Sequence, residues 1–116
     1  MILFKAMVIV ASASLPLAAQ ELASGSEISG AISGNTVQGS MSAAGAYSEF
    51  YAADGTIRAT GYTGTWAVVN DTMCFKYGDA APDCWNVAIE GSDVIWVQNG
   101  AEGGGGTIMP GNPNNY

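Results

Sequence analysis

The sequence predicts a mainly β fold: an antiparallel meander of seven to eight short strands forming a small barrel or half-barrel, with one short N-terminal helix. Three observations point there. Asp54-Gly55, Asn70-Asp71 and Gly91-Ser92 each separate two runs in which apolar residues alternate with others. Alternation with period two marks half-buried strands, and a two-residue link between such runs marks a hairpin. Finally, the stretch from Gly64 to Val97 holds all three tryptophans and both cysteines, so it supplies much of the core and the one expected crosslink. An open two-sheet sandwich is the alternative that this pattern leaves.

The chain opens with a segment of a different kind. Met1 to Lys5 is a short basic start, Ala6 to Leu15 a mostly apolar run, and Pro16 to Ala19 a small-residue end. That is the layout of a secretory signal peptide, with cleavage expected after Ala19. The apolar run is shorter than the roughly 20 residues a membrane-spanning helix needs. The expected division is therefore a signal peptide over 1–19, a small β-domain over 20–110 and a flexible tail over 111–116, where periodicity stops. The expected location is periplasmic or secreted.

Within the domain, Ser24-Gly-Ser-Glu27 fits a capping box, in which the serine hydroxyl accepts from the Glu27 backbone and the glutamate reaches back. A helix from about Gly25 to Ser33 follows, with Ile28 and Ile32 on one face and Gly34 placed to end it in a left-handed conformation. So short a helix is not stable alone and must lay its isoleucines on the sheet.

The strands come next. Thr36 to Met41 reads as a weak strand and Ser42 to Ala46 as a loop. Tyr47 to Ala53 and Thr56 to Tyr62 are joined at Asp54-Gly55, a register that sets Ala52 against Ile57 and Phe50 against Ala59 on a core face. Tyr51, Arg58, Glu49 and Thr60 then fall on the wet face. Thr65 to Val69 and Thr72 to Tyr77 meet across Asn70-Asp71, pairing Val68 with Met73 and Trp66 with Phe75. Cys84 to Glu90 and Asp93 to Gln98 fold through Gly91-Ser92, pairing Ile89 with Val94 and Val87 with Trp96. Gly103 to Gly106 reads as a flexible link to a last short strand, Thr107 to Met109.

Cys74 and Cys84 lie on the phase of the alternation opposite Met73, Phe75, Trp85 and Val87, so their side chains leave one face of two neighbouring strands. In an exported chain of this size an isolated pair in that arrangement is expected to be a disulfide.

Composition narrows the partners. Without Lys5 only Arg58 and Lys76 stand against ten acidic residues, a net charge of −8 for the domain. Phosphate backbones and anionic lipid surfaces are bound through lysine and arginine, so neither nucleic acid nor a membrane surface is an expected partner. The chain has no histidine. That removes the commonest general base, the commonest metal ligand and every histidine-assisted nucleophile. Asp79 and Asp83 flank turn residues and read as ordinary loop aspartates, and they have no recognisable calcium-ligand spacing. No catalytic residue, metal site or cofactor is expected, and the chain is not read as an enzyme.

Two sets of residues stand out as candidate sites. Tyr47, Tyr51 and Tyr62 cluster around Arg58 on the expected wet face and form a candidate contact patch. Trp66, Trp85 and Trp96 point to the interior, where they either fill the core or line a small ligand cavity.

The tyrosine–aspartate–glycine hairpin Tyr51-Ala-Ala-Asp54-Gly55, the Gly64-Thr-Trp66 strand and the Cys74, Cys84-Trp85 pair together resemble small exported proteins of uncharacterised function from alphaproteobacteria. The resemblance covers most of Ser24 to Pro110 and implies a shared fold and export, with no assigned site residues to carry over. Gly64-Thr-Trp66 is also similar to the glycine–any–tryptophan strand of lipocalins, though here it lies mid-chain. The first functional expectation is a non-catalytic module that binds another protein or an envelope component. The second is a barrel that carries a small hydrophobic ligand in its tryptophan-lined interior.

Overall fold

The computed structural model describes residues 21–116, so the expected signal peptide, 1–19, lies outside the described residues. Helix α1 (Gly25–Ile32) is followed by strands β1 (Asn35–Met41), β2 (Gly45–Tyr51), β3 (Thr56–Ala59) and β4 (Tyr62–Val69). Strands β5 (Thr72–Lys76), β6 (Asp83–Glu90), β7 (Asp93–Gln98) and β8 (Ala101–Met109) complete the order. Every strand pairs antiparallel with the next, and β8 returns to pair with β1, closing the barrel. The closure is thin at one seam, where β2 pairs with β3 only at Phe50 and Tyr51.

The two ends of the barrel differ. Helix α1 plugs the end where the β4–β5 and β6–β7 turns lie. Its capping box is formed: Ser24 Oγ accepts from Glu27 N at 3.2 Å, and Glu27 Oε1 accepts from Ser24 N at 2.9 Å. Gly34 follows with φ +76°. Asp71 Oδ1 accepts from Gly25 N at 2.8 Å, tying the helix start to the β4–β5 turn. Ile28 and Ile32 are fully buried and pack with Val37, Ile57, Met73, Val87 and Val94. The opposite end carries the β1–β2, β3–β4, β5–β6 and β7–β8 connections and has no plug among the described residues.

Registers predicted across Asn70-Asp71 and Gly91-Ser92 are present: Val68 faces Met73, Trp66 faces Phe75, Val87 faces Trp96 and Ile89 faces Val94. The β2–β3 register differs. Instead of a two-residue turn, Ala52 to Gly55 form a longer connection in which Ala52 N donates to Thr56 O and Gly55 N donates to Ala52 O. Asp54 Oδ1 accepts from both Thr56 N and Thr56 Oγ1 and so stabilises that shape. Tyr51 therefore pairs with Ile57, and Phe50 with Arg58. A slip of one residue exchanges the faces of a strand. Tyr51 and Glu49 are buried, whereas Phe50 turns outward beside Arg58.

Two further boundaries are corrected. The expected strand Thr56 to Tyr62 is broken after Ala59 by a turn at Thr60-Gly61, where Gly61 has φ +83°, and Tyr62 already begins β4. The glycine run is strand rather than link: Ala101 to Met109 pair with β7 and β1. Glycine suits this seam because the neighbours leave no room for side chains. A Cβ on Gly103 would run into the Trp85 ring, and one on Gly106 would come within 2.6 Å of Tyr47 Oη. The tail turns back on itself, with Tyr116 N donating to Asn112 Oδ1, while Gly111 N donates to Asn35 Oδ1.

Candidate ligand site

The unplugged end opens into a cavity of about 730 Å³. Drug-sized ligands occupy pockets of about 300–1,000 Å³, and an eight-stranded barrel has room for one small molecule. Its wall is aromatic: Tyr47, Tyr51, Tyr62, Phe75, Tyr77, Trp85 and Trp96 all contribute.

Strand periodicity builds this wall. Tyr47, Glu49 and Tyr51 occupy alternate positions of β2 and share its inner face. Tyr62 starts β4, Phe75 lies on β5 and Tyr77 follows it; Asp83 and Trp85 lie on β6, and Trp96 on β7. The rings lock edge to face, with centroids 6.0 Å apart for Tyr51 and Phe75, 5.3 Å for Phe75 and Trp96, and 6.0 Å for Tyr62 and Tyr77. The Cys74–Cys84 disulfide joins directly paired residues of β5 and β6. It clips together the two strands whose ends present Phe75, Tyr77, Asp83 and Trp85.

Glu49 is the cavity's unusual residue, a carboxylate only 5% exposed. Three phenols donate to it: Tyr51 to Oε1 at 2.7 Å, Tyr62 to Oε2 at 2.7 Å, and Tyr77 toward both oxygens at 2.9 Å. Hydrogen bonds to a charged acceptor are the strong ones, which is how a buried carboxylate is tolerated here. The phenols respond in kind. Burial, then the Glu49 charge and hydrogen bond, hold Tyr51 and Tyr77 well above the usual phenol range; for Tyr62 burial leads, followed by the Glu49 hydrogen bond. Burial also raises Tyr47. Its hydroxyl accepts from Trp96 Nε1 at 2.8 Å and donates to Gly105 O at 3.0 Å.

The tyrosines and Arg58 do not form one outer patch. Tyr47, Tyr51 and Tyr62 line the cavity, while Arg58 stands outside, 4.0 Å from Asp54 and over the Phe50 ring. The cause is the longer β2–β3 connection, which turns Tyr47, Glu49 and Tyr51 inward together. Trp85 and Trp96 line the cavity; Trp66 does not, packing edge to face behind Tyr51 and donating from Nε1 to Ala52 O at 2.9 Å. Glu49, Phe75 and Tyr77 were not singled out in the sequence as site residues, although the Tyr47, Glu49, Tyr51 alternation is visible there once the turn length is known. Asp83 lies at the rim, where Trp85 Nε1 and Gln98 Nε2 donate to it. No cluster of three or more potential metal-ligating side chains occurs among the described residues.

No protein-family model, curated protein or solved structure matches the chain. A disulfide is suited to an oxidising compartment. Among the described residues no helix is long and apolar enough to cross a membrane.

Proposed function

We propose that this protein is a non-catalytic binding protein that holds one small, largely apolar ligand in the open end of its barrel and works in the periplasm or outside the cell. The observation that carries this is the aromatic cavity of about 730 Å³ opposite the helix plug. Of the two readings drawn from the sequence, this favours the ligand carrier over the module that docks on another protein. The aromatic surface is concave and turned inward, which suits a small molecule better than the face of another protein. The disulfide and the composition of residues 1–19 support export.

The test is a titration with a neutral hydrophobic dye, Nile red, read by both dye and tryptophan emission. Saturable binding of one dye per chain, with a change in tryptophan emission from Trp85 and Trp96, is the expected result. Failure to saturate, or binding that leaves tryptophan emission unaltered, contradicts it.

A further inference from the structure

Resting on the reading of the cavity as a ligand site, we infer that the ligand it selects is an organic cation, and specifically one whose nitrogen is fully alkylated. The inference starts from charge. Glu49 and Asp83 are the ionisable acids of the cavity wall, and neither lysine nor arginine lines it. The two basic side chains among the described residues are engaged elsewhere. Arg58 faces Asp54 on the outer surface, and Lys76 Nζ donates to Gly78 O at 2.6 Å. The phenols that hold Glu49 are neutral donors, so they stabilise its charge without cancelling it. A buried charge of this kind is normally paired. The missing partner is a cation, and a chain of net charge −7 draws cations toward itself.

Hydrogen-bond capacity then decides which cation. A carboxylate offers about four lone-pair sites. Tyr51 donates to Oε1, Tyr62 to Oε2, and the single Tyr77 proton is shared between the two oxygens, so three protons fill all but about one of those sites. At the rim, Asp83 Oδ1 accepts from Gln98 and Oδ2 from Trp85. A primary ammonium seated against Glu49 brings three N–H groups to about one open site there, and loses the hydration of the others. A quaternary ammonium has no N–H to satisfy. It is attracted instead through the field of Glu49 and through aromatic faces, which bind such cations by their negative quadrupole. Donating to a carboxylate makes the faces of Tyr51, Tyr62 and Tyr77 richer in electrons, which strengthens that attraction. Trp85 and Trp96 remain to cover an apolar body.

Two isosteric pairs of probes test this by isothermal calorimetry on the folded, oxidised chain: benzyltrimethylammonium with its neutral carbon isostere neopentylbenzene, and the smaller benzylammonium with its own isostere ethylbenzene. The expected result is that benzyltrimethylammonium binds about tenfold or more tightly than neopentylbenzene, while benzylammonium gains no such advantage over ethylbenzene. The quaternary probe's advantage over its neutral isostere should vanish in Glu49→Gln. Equal affinity for the neutral isostere overturns the cation inference and leaves the cavity reading standing. An advantage of benzylammonium over ethylbenzene equal to or greater than that of the quaternary pair overturns the fully alkylated class. Binding of none of the four overturns both this inference and the reading it rests on. Since the wild-type comparison is decisive by itself, the conclusion does not depend on Glu49→Gln folding.

Discussion

Removing the Cys74–Cys84 bridge by replacing both cysteines with serine should destabilise the fold substantially while leaving the cavity in place. The two residues are ten apart in sequence and face each other across β5 and β6. For a closed loop of that length the chain-entropy relation gives about 9 cal/mol/K removed from the unfolded ensemble, or about 2.7 kcal/mol at 25 °C. For a domain of this size each kcal/mol moves the melting midpoint by about 4–8 °C, so the loss should be about 10–20 °C. The folded state should change little. Thr72 Oγ1 lies 3.6 Å from Cys74 Sγ, so a serine hydroxyl at 74 has a partner within reach after small adjustment. Scanning calorimetry of the double variant, beside wild-type protein reduced with a phosphine, reads the shift. The two samples should agree, and both should retain the near-ultraviolet signal of packed tryptophans. A shift under about 3 °C in the double variant would refute the loop-closure account of the bridge.

Ile28→Ala should cost about 3 kcal/mol, within the range for emptying a fully buried aliphatic site, because the helix has only Ile28 and Ile32 buried to hold it; urea denaturation that returns under 1 kcal/mol would mean the helix is not a plug. Alkaline stability should follow the phenols. Tyr51, Tyr62 and Tyr77 keep their protons above the usual range near 10 when folded, while the unfolded chain loses them there, so stability is full below about pH 10 and falls as pH rises beyond it. Absorbance at 295 nm should therefore rise in step with unfolding; phenolate appearing in the folded chain for all these tyrosines near pH 10 would contradict their bonds to Glu49. Gly103→Ala should push the Trp85 indole out of its place against β8, shifting tryptophan emission to the red, and an unmoved spectrum would mean the two do not touch.

Much of the fold is legible in the sequence because alternation and turn chemistry agree at most hairpins. Around Asn70-Asp71 and Gly91-Ser92 the turn length fixes which residues face the core, and the bridge follows from the same phase. The capping box and paired isoleucines likewise announce a helix that must pack on something. The site was less legible, and one turn is the reason. Asp54-Gly55 has the residues of a two-residue link, yet the Asp54 side chain supports a longer one, and the difference of one position turns Tyr47, Glu49 and Tyr51 from solvent to cavity. The glycine strand was hidden for another reason. Gly103 to Gly106 has no alternation of its own, and its pairing is dictated by closure against β1 and by the Trp85 and Tyr47 rings that need the space.

The three indole N–H signals in a proton–nitrogen NMR spectrum give the most direct test of the cavity as a ligand site. Trp85 and Trp96 line it, and Trp66 does not, lying behind Tyr51 with its N–H bound to Ala52 O. During titration with neopentylbenzene or benzyltrimethylammonium, the Trp85 and Trp96 signals should move to saturation while Trp66 moves much less. Movement of Trp66 equal to theirs, or no movement of Trp85 and Trp96 with either probe at saturating concentration, would contradict a binding site in the open end of the barrel.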